Sequence, residues 1–375
     1  MTTTDQNLIS SGKLTIDLDA YADNWRFLNE KAADAECGAM VKADAYGIQI
    51  DKAVGALEAA GCKTFFVATP TEGAAVRAQS KTATIYILNG LMAGAADFYH
   101  QHDLRPVLNS MDEINEWTNE QKPAALHIDT GMNRLGLRED EAKELSENQA
   151  LVSKLNLSLI MTHLACGDTP SSLMNGCQLS SFIDICKLYP NVPRSLCNSG
   201  GIFHGQAFHL EMVRPGIALY GGAGLSEHVA KNPMKPVVKV EARILQIREL
   251  FEHESVGYGG AEVATSDRKI ATISAGYADG YLRRSGSTSK EKGASGYLHG
   301  KRVRLMGRVS MDLIAVDITD VLDAKRGDYV ELFGPNISVS EVATHAQSID
   351  YELLTGLGKR YTCLLYTSPS PRDRG

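Results

Sequence analysis

Lys42 closes an apolar run, residues 37–41, and is followed at once by a turn-forming stretch in Ala39-Met-Val-Lys-Ala-Asp-Ala-Tyr-Gly47. An amine held in a partly apolar setting can bond covalently to a carbonyl cofactor, so Lys42 is a candidate point of cofactor attachment. Arg134 lies just beyond another apolar run, 124–128, with glycines at 131 and 136, where a guanidinium can clamp a carboxylate through two parallel hydrogen bonds. His163 is delivered by the run 157–162, and Arg214 sits against the apolar segment 217–220. Asn198-Ser-Gly-Gly201 and Gly216-Ile217 are turns whose backbone N–H groups can hold a phosphate without a basic cluster. Tyr277 is presented by the glycine-flanked loop Gly276-Tyr-Ala-Asp-Gly280. Taken singly each has a plainer explanation: surface charge for the lysine and the arginine of a loop, a satisfied core position for the histidine, packing for the tyrosine.

The elements that must position these residues are legible up to about residue 220. Runs at 37–41, 64–68, 84–88, 124–128 and 157–162 read as strands, and helical spacing appears between them, as in 51–60, where Ala53, Val54, Leu57 and Ala60 recur on one face. Alternating strands and helices with continuously apolar strands imply a parallel sheet covered by helices, either open or closed into a (β/α)8 barrel. Periodicity does not choose between them. No G-x-G-x-x-G opens the first unit, which favours the barrel, whose strand C-termini are where reactive groups gather. From about residue 236 the texture changes to strands at 237–250, 269–274, 302–306, 313–318 and 329–333 with few helices between them, a second and mainly β domain. The division expected is 12–238 for the barrel and 239–362 for the β domain.

The 375 residues carry a net charge of −7, which supplies no basic face for nucleic acid. No stretch approaches the roughly 20 apolar residues of a membrane span. The start of the chain lacks the pattern of a secretory signal, so a cytoplasmic address is expected. Seven cysteines show no C-x-x-C pair, and the His163/Cys166 pair has no second half, so no metal site is expected. Residues 363–375, Cys-Leu-Leu-Tyr-Thr-Ser-Pro-Ser-Pro-Arg-Asp-Arg-Gly, have neither the periodicity nor the capping of what precedes them; they look like a translated sequencing adapter, outside the fold.

The string around Lys42 resembles the cofactor-lysine motif of the alanine racemases, and further motifs of that family follow in order over residues 12–362. His127-Ile-Asp-Thr-Gly-Met-Asn-Arg-Leu-Gly136 is similar to its substrate-arginine loop, Val213-Arg-Pro-Gly-Ile217 to its cofactor-ring segment, Ile273-Ser-Ala-Gly-Tyr-Ala-Asp-Gly280 to its second-base loop, and Gly307-Arg-Val-Ser-Met-Asp312 to a substrate loop. The resemblance implies pyridoxal 5'-phosphate bound through Lys42, with Lys42 and Tyr277 as the catalytic pair on opposite faces of the substrate. It further implies Arg134 and the backbone N–H of Met311 on the substrate carboxylate, and Arg214, supported by His163, on the cofactor's ring nitrogen. Tyr46, Ser199, Gly216, Ile217 and Tyr361 would hold the phosphate.

A homodimer with shared active sites, alanine as substrate and D-alanine supply for peptidoglycan are implied as well. Where many members have a lysine that becomes carboxylated beside the substrate arginine, this chain has His127, so dependence on carbon dioxide is expected to be absent; an anion or another hydrogen bond would orient Arg134. Two other readings are a barrel protein that binds the cofactor without turnover, disfavoured by the second domain, and a related decarboxylase, disfavoured because Arg214 stands where a carboxylate would be expected.

Overall fold

The computed structural model describes residues 9–226 and 231–366, which divide into two compact units. In the first, residues 21–219 and the described part of 223–234, the parallel strands Thr64–Val67, Thr84–Ile87, Arg105–Leu108, Ala124–His127, Leu157–Met161, Arg194–Ser195 and Met212–Val213 pair in sequence order. The ring closes through residues 36–40: Glu36–Cys37 pair with Met212–Val213, and Ala39–Met40 pair with Phe65–Phe66. Gly38 joins the two halves, and its N–H still donates to Val213 O at 3.0 Å. A Cβ there would stand 2.9 Å from the Phe66 ring, so this closure requires glycine. The barrel expected from the sequence is therefore present, with eight strands once residues 36–40 are counted as one.

Burial explains the strand composition. All four residues of Thr64–Val67 are buried, as parallel strands covered by helices demand. Local signals start the helices: Thr69 caps Pro70–Gln79 in a reciprocal box with Glu72, with Pro70 at the first helical position, and Ser110 caps Met111–Trp117. Strands 105–108, 194–195 and 212–213 escape the sequence reading because two to four residues carry no period.

The second unit comprises residues 9–20, 220–222 and 235–366. Six strands form a ring in the order Arg268–Ile273, Ile314–Asp317, Lys301–Met306, Ser295–Leu298, Tyr329–Phe333 and Val238–Leu250, the last pairing back to the first. Thirteen residues make Val238–Leu250 long enough to serve neighbours at both ends, with one register shift in its pairing with each of them. Gly12–Asp17 pairs antiparallel with its first half, and Thr362–Tyr366 pairs in parallel with Gly12–Asp17.

Two expectations change here. Residues 12–20, expected with the barrel, belong to the β unit, because the alternating buried and half-exposed side chains of Gly12–Asp17 complete that sheet. Residues 363–366, expected outside the fold, form most of its edge strand; those from 367 lie outside the described residues. Ile16 is fully buried in the β unit. Ile16→Ala should cost about 2–5 kcal/mol, seen as faster amide exchange along residues 238–250 with the barrel strand 64–67 unchanged; equal protection in both proteins would refute this placement.

Candidate functional site

Lys42 leaves the first barrel strand in an unusual backbone conformation. Val41 N–H still donates to Phe66 O at 2.9 Å, but Ala43, Asp44, Ala45 and Tyr46 then have φ of 53°, 52°, 54° and 51°, and Gly47 has 86°. A left-handed turn costs L-residues about 1–2 kcal/mol each, so four in succession need support. Glu72 supplies it. One carboxylate oxygen accepts from Ala43 N at 2.6 Å, and the other from Ala68 N at 2.9 Å and Thr69 N at 3.1 Å. At the far end Asp44 accepts from Ile50 N at 2.8 Å, starting the next helix. Half-buried Lys42 has its pKa lowered by burial and then by the charge of Arg134, with Glu72 opposing.

Arg134 lies in a loop pinched shut by Leu137 N to His127 O and Asp129 N to Leu137 O, both 2.8 Å. The Asp129 carboxylate accepts from the amides of Gly131, Met132 and Asn133 and so fixes the turn that exposes Arg134. Beneath it, His127 Nδ1 lies 2.8 Å from Asn109 Oδ1. Because the Asn109 amide nitrogen donates to Val107 O at 2.7 Å, its oxygen is the acceptor, which puts the His127 proton on Nδ1. Burial, then Arg214, lowers the His127 pKa to about 4 against an opposing pull from Asp129, with Arg134 adding to the lowering. His163 is lowered to about 3, by burial first, then Arg214, Arg134, His127 and Lys42. Both imidazoles are neutral. Fully buried Gln178 links the loops, donating to His163 O and Thr130 Oγ1 and accepting from Ala165 N.

Arg214, 1 % exposed, donates through Nη1 to Ser195 Oγ and through Nη2 to Thr162 O at 2.6 Å, while its buried Nε has no hydrogen-bond partner. Burial lowers its pKa to about 10, which leaves it charged at neutral pH. Nearby, Ser199 Oγ accepts from Gly216 N at 2.8 Å and Ala218 N at 3.2 Å, and Ile217 begins a short 3-10 turn. A Cβ on Gly216 would stand 2.6 Å from the Tyr46 hydroxyl. Hydroxyls and amides thus crowd one spot with room only for a glycine. Lys42, Arg134, His163, Ser199, Arg214, Gly216 and Ile217 all follow the C-terminal ends of barrel strands, the end at which such folds place their chemistry.

The other three expected residues lie in the β unit. Tyr277 N donates to Ser310 O and Ala278 N to Met311 O, both at 3.0 Å, so the two loops touch. A Cβ on Gly276 would fall 2.2 Å from Met311 O. Tyr277 is 43 % and Met311 52 % exposed on the isolated chain. Tyr361 is buried, its ring against Gly12 and its hydroxyl without a hydrogen-bond partner. Sequence reasoning missed Glu72, Asn109 and Gln178. Only Glu72 left a signal, the capping pattern Thr69-Pro-Thr-Glu72.

A family profile for the N-terminal domain of alanine racemase matches residues 16–224, and one for its C-terminal domain matches 237–365. The chain belongs to the alanine racemase family. An alanine racemase from Rhizobium meliloti is 43% identical over 367 residues, covering 94% of this chain and 96% of the relative. A biosynthetic alanine racemase from Agrobacterium fabrum is 45% identical over 362 residues, covering 93% of this chain and 92% of its own. The crystal structure of alanine racemase from Bartonella henselae with covalently bound pyridoxal phosphate superposes with a TM-score of 0.88 at 40% identity, over 95% of this chain and 100% of that one.

Two outcomes follow for this member of the racemase family. In Glu72→Gln an amide NH2 replaces an oxygen that accepts a backbone N–H, so stability should fall by about 1–3 kcal/mol, and the pH at which Lys42 of the cofactor-free chain becomes reactive to an acylating reagent should move down; an unmoved titration would refute the clamp. Because the folded pKa values of His127 and His163 lie below the ordinary 6.5, at about 4 and 3, the unfolded chain binds more protons between those limits. Their contribution to stability is present above pH ~6.5 and lost as pH falls toward 3–4. Urea midpoints should drop over that window, less steeply in His127→Asn, and parallel curves for the two proteins would refute the neutral imidazole.

Proposed function

We propose that the protein interconverts L- and D-alanine using pyridoxal 5'-phosphate, with Lys42 and Tyr277 as acid/base groups on opposite faces of the substrate. The observation that carries this reading is the buried Arg214 Nε with no partner, at the same strand ends as a half-buried lysine of lowered pKa. An N–H donor left unpaired in such a place costs about 1–3 kcal/mol, and the ring nitrogen of the cofactor is an acceptor that would satisfy it. Ser199, Gly216, Ile217 and the Tyr46 hydroxyl form a cradle suited to its phosphate.

When bound, the cofactor delocalises the electron pair left on the alanine Cα as its proton departs. The chain's own residues do the rest. Lys42, the residue that would hold the cofactor, would through its amine remove the proton of D-alanine and return one to the same face. Its lowered pKa enlarges the neutral fraction that can accept that proton. Tyr277 does the same on the L face. Arg134 and the Met311 N–H hold the substrate carboxylate. A guanidinium does not give up its proton readily, so Arg214, kept in place with the help of neutral His163, leaves the ring nitrogen unprotonated and limits side reactions.

We assign the working unit to a homodimer in which Tyr277 and Met311 serve the neighbouring chain's site; their exposure on the isolated chain suits coverage by a second copy. Supply of D-alanine for peptidoglycan is the accompanying role, in line with the biosynthetic name of the Agrobacterium relative. Among the described residues no helix is long and apolar enough to cross a membrane. The test is incubation with L-alanine and pyridoxal phosphate in D₂O. D-Alanine and α-deuterated substrate should appear together, be abolished by Lys42→Ala and be strongly reduced by Tyr277→Phe; cofactor binding without deuteration would overturn the reading.

A further inference from the structure

Arg360 has no part in the roles above, yet its side chain joins three separate stretches of the β unit. Nε donates to Asp279 Oδ1 at 2.7 Å and Nη2 to Asp279 Oδ2 at 2.8 Å, a parallel pair, while Nη1 donates to Asp312 Oδ1 at 2.7 Å. Each partner adjoins a residue already discussed. Asp279 lies two residues after Tyr277 and accepts from Gly276 N at 2.8 Å, holding the Tyr277 loop closed. Asp312 follows Met311, and Arg360 itself precedes Tyr361. The backbone runs the same way, with Gly358 N donating to Asp279 O at 3.1 Å.

The two arms of this link are unequal. Asp279 is only 6 % exposed and accepts the bidentate pair, so removing the guanidinium leaves a buried carboxylate short of partners. Asp312 is 54 % exposed, where an ion pair is largely screened by water. The coupling therefore runs chiefly from the 358–361 segment into the Tyr277 loop, and from there to Met311 through the Ala278 N to Met311 O bond of 3.0 Å.

We propose that Arg360 is a positioning residue for racemisation, setting Tyr277 and the Met311 N–H relative to each other through Asp279 and Asp312. This rests on the assignment of Tyr277 as the base for the L face. Its consequence is one-sided in a way that ordinary loss of stability is not. Mirror-image substrates have an equilibrium constant of one, so kcat/KM must fall equally in both directions. The slow step, however, shifts to the proton transfer at Tyr277. Removal of the α-proton from L-alanine then limits more of the rate, while removal from D-alanine by Lys42 limits less.

The experiment compares wild-type and Arg360→Gln holoenzyme with α-deuterated L- and D-alanine, and the two cofactor-free chains by amide exchange. Arg360→Gln should lower kcat/KM about tenfold in each direction, raise the isotope effect on L-alanine and reduce that on D-alanine toward one. Exchange at Gly276 and Ala278 should quicken about tenfold, with the strand Arg268–Ile273 unchanged. Arg360→Lys, which keeps the charge without the fork, should recover part of the effect, and Asp312→Asn should move the same readouts by less. Isotope effects that stay put, or exchange that quickens across the whole β unit, overturn the proposal. Tyr277→Phe is run in parallel. If its residual activity lacks the raised L effect, the base assignment falls and takes this proposal with it; if the effect is there and Arg360→Gln lacks it, only the role of Arg360 falls.

Discussion

Burial at the C-terminal ends of the barrel strands, and after it the charge of the buried guanidinium of Arg214, governs the two imidazoles of the site. Desolvating Arg214 costs several kcal/mol, offset in part by Ser195 Oγ and Thr162 O. Having accepted that charge, the site cannot hold further cations at low cost. His163 and His127 both carry Arg214 among the causes of their lowered pKa, and both stay neutral. Asn109 suits this arrangement, because its oxygen takes the proton of a neutral imidazole without drawing a second one onto the ring as a carboxylate would. Lys42 is pushed the same way by burial and Arg134, toward the form of an amine that can accept a proton.

Geometry is imposed by a second constraint, the left-handed turn after Lys42. Four non-glycine residues would leave that conformation if the flanking chain were free. They are held because Glu72, fixed at the start of its own helix, reaches across to Ala43 N while binding Ala68 and Thr69. One carboxylate thus ties two neighbouring strand ends of the barrel together. Strain of this kind persists where surrounding contacts over-determine it, and here the contacts come from the scaffold rather than from the loop.

The β unit solves a comparable problem with backbone bonds and glycine. Gly276 allows the Tyr277 loop to lie against Met311 O, and the bonds from Tyr277 N and Ala278 N keep the two loops in register. Gly12 does the same for Tyr361 by leaving room for its ring. This use of the N-terminal strand explains why residues 12–20 are built into the β unit although they precede the whole barrel in sequence.

Much of this was legible in the chain itself. Continuously apolar strands alternating with helical patterns determined a parallel sheet covered by helices, because parallel strands buried on both faces have little other composition open to them, while its closure into a barrel was favoured only by the missing G-x-G-x-x-G. The change of texture near residue 236 marked the β unit, and the ordered motifs around Lys42, Arg134, Arg214, Tyr277 and Met311 supplied the candidate residues of the site. What the sequence left open depends on partners distant along the chain. The hand of the turn after Lys42 is decided by a carboxylate 29 residues away from Ala43, the tautomer of His127 by an asparagine 18 residues away, and the hold on the Tyr277 loop by an arginine 81 residues beyond Asp279. Local spacing carries no record of such contacts, because a hydrogen bond is specified by where two groups meet in space, and only the folded chain brings them there.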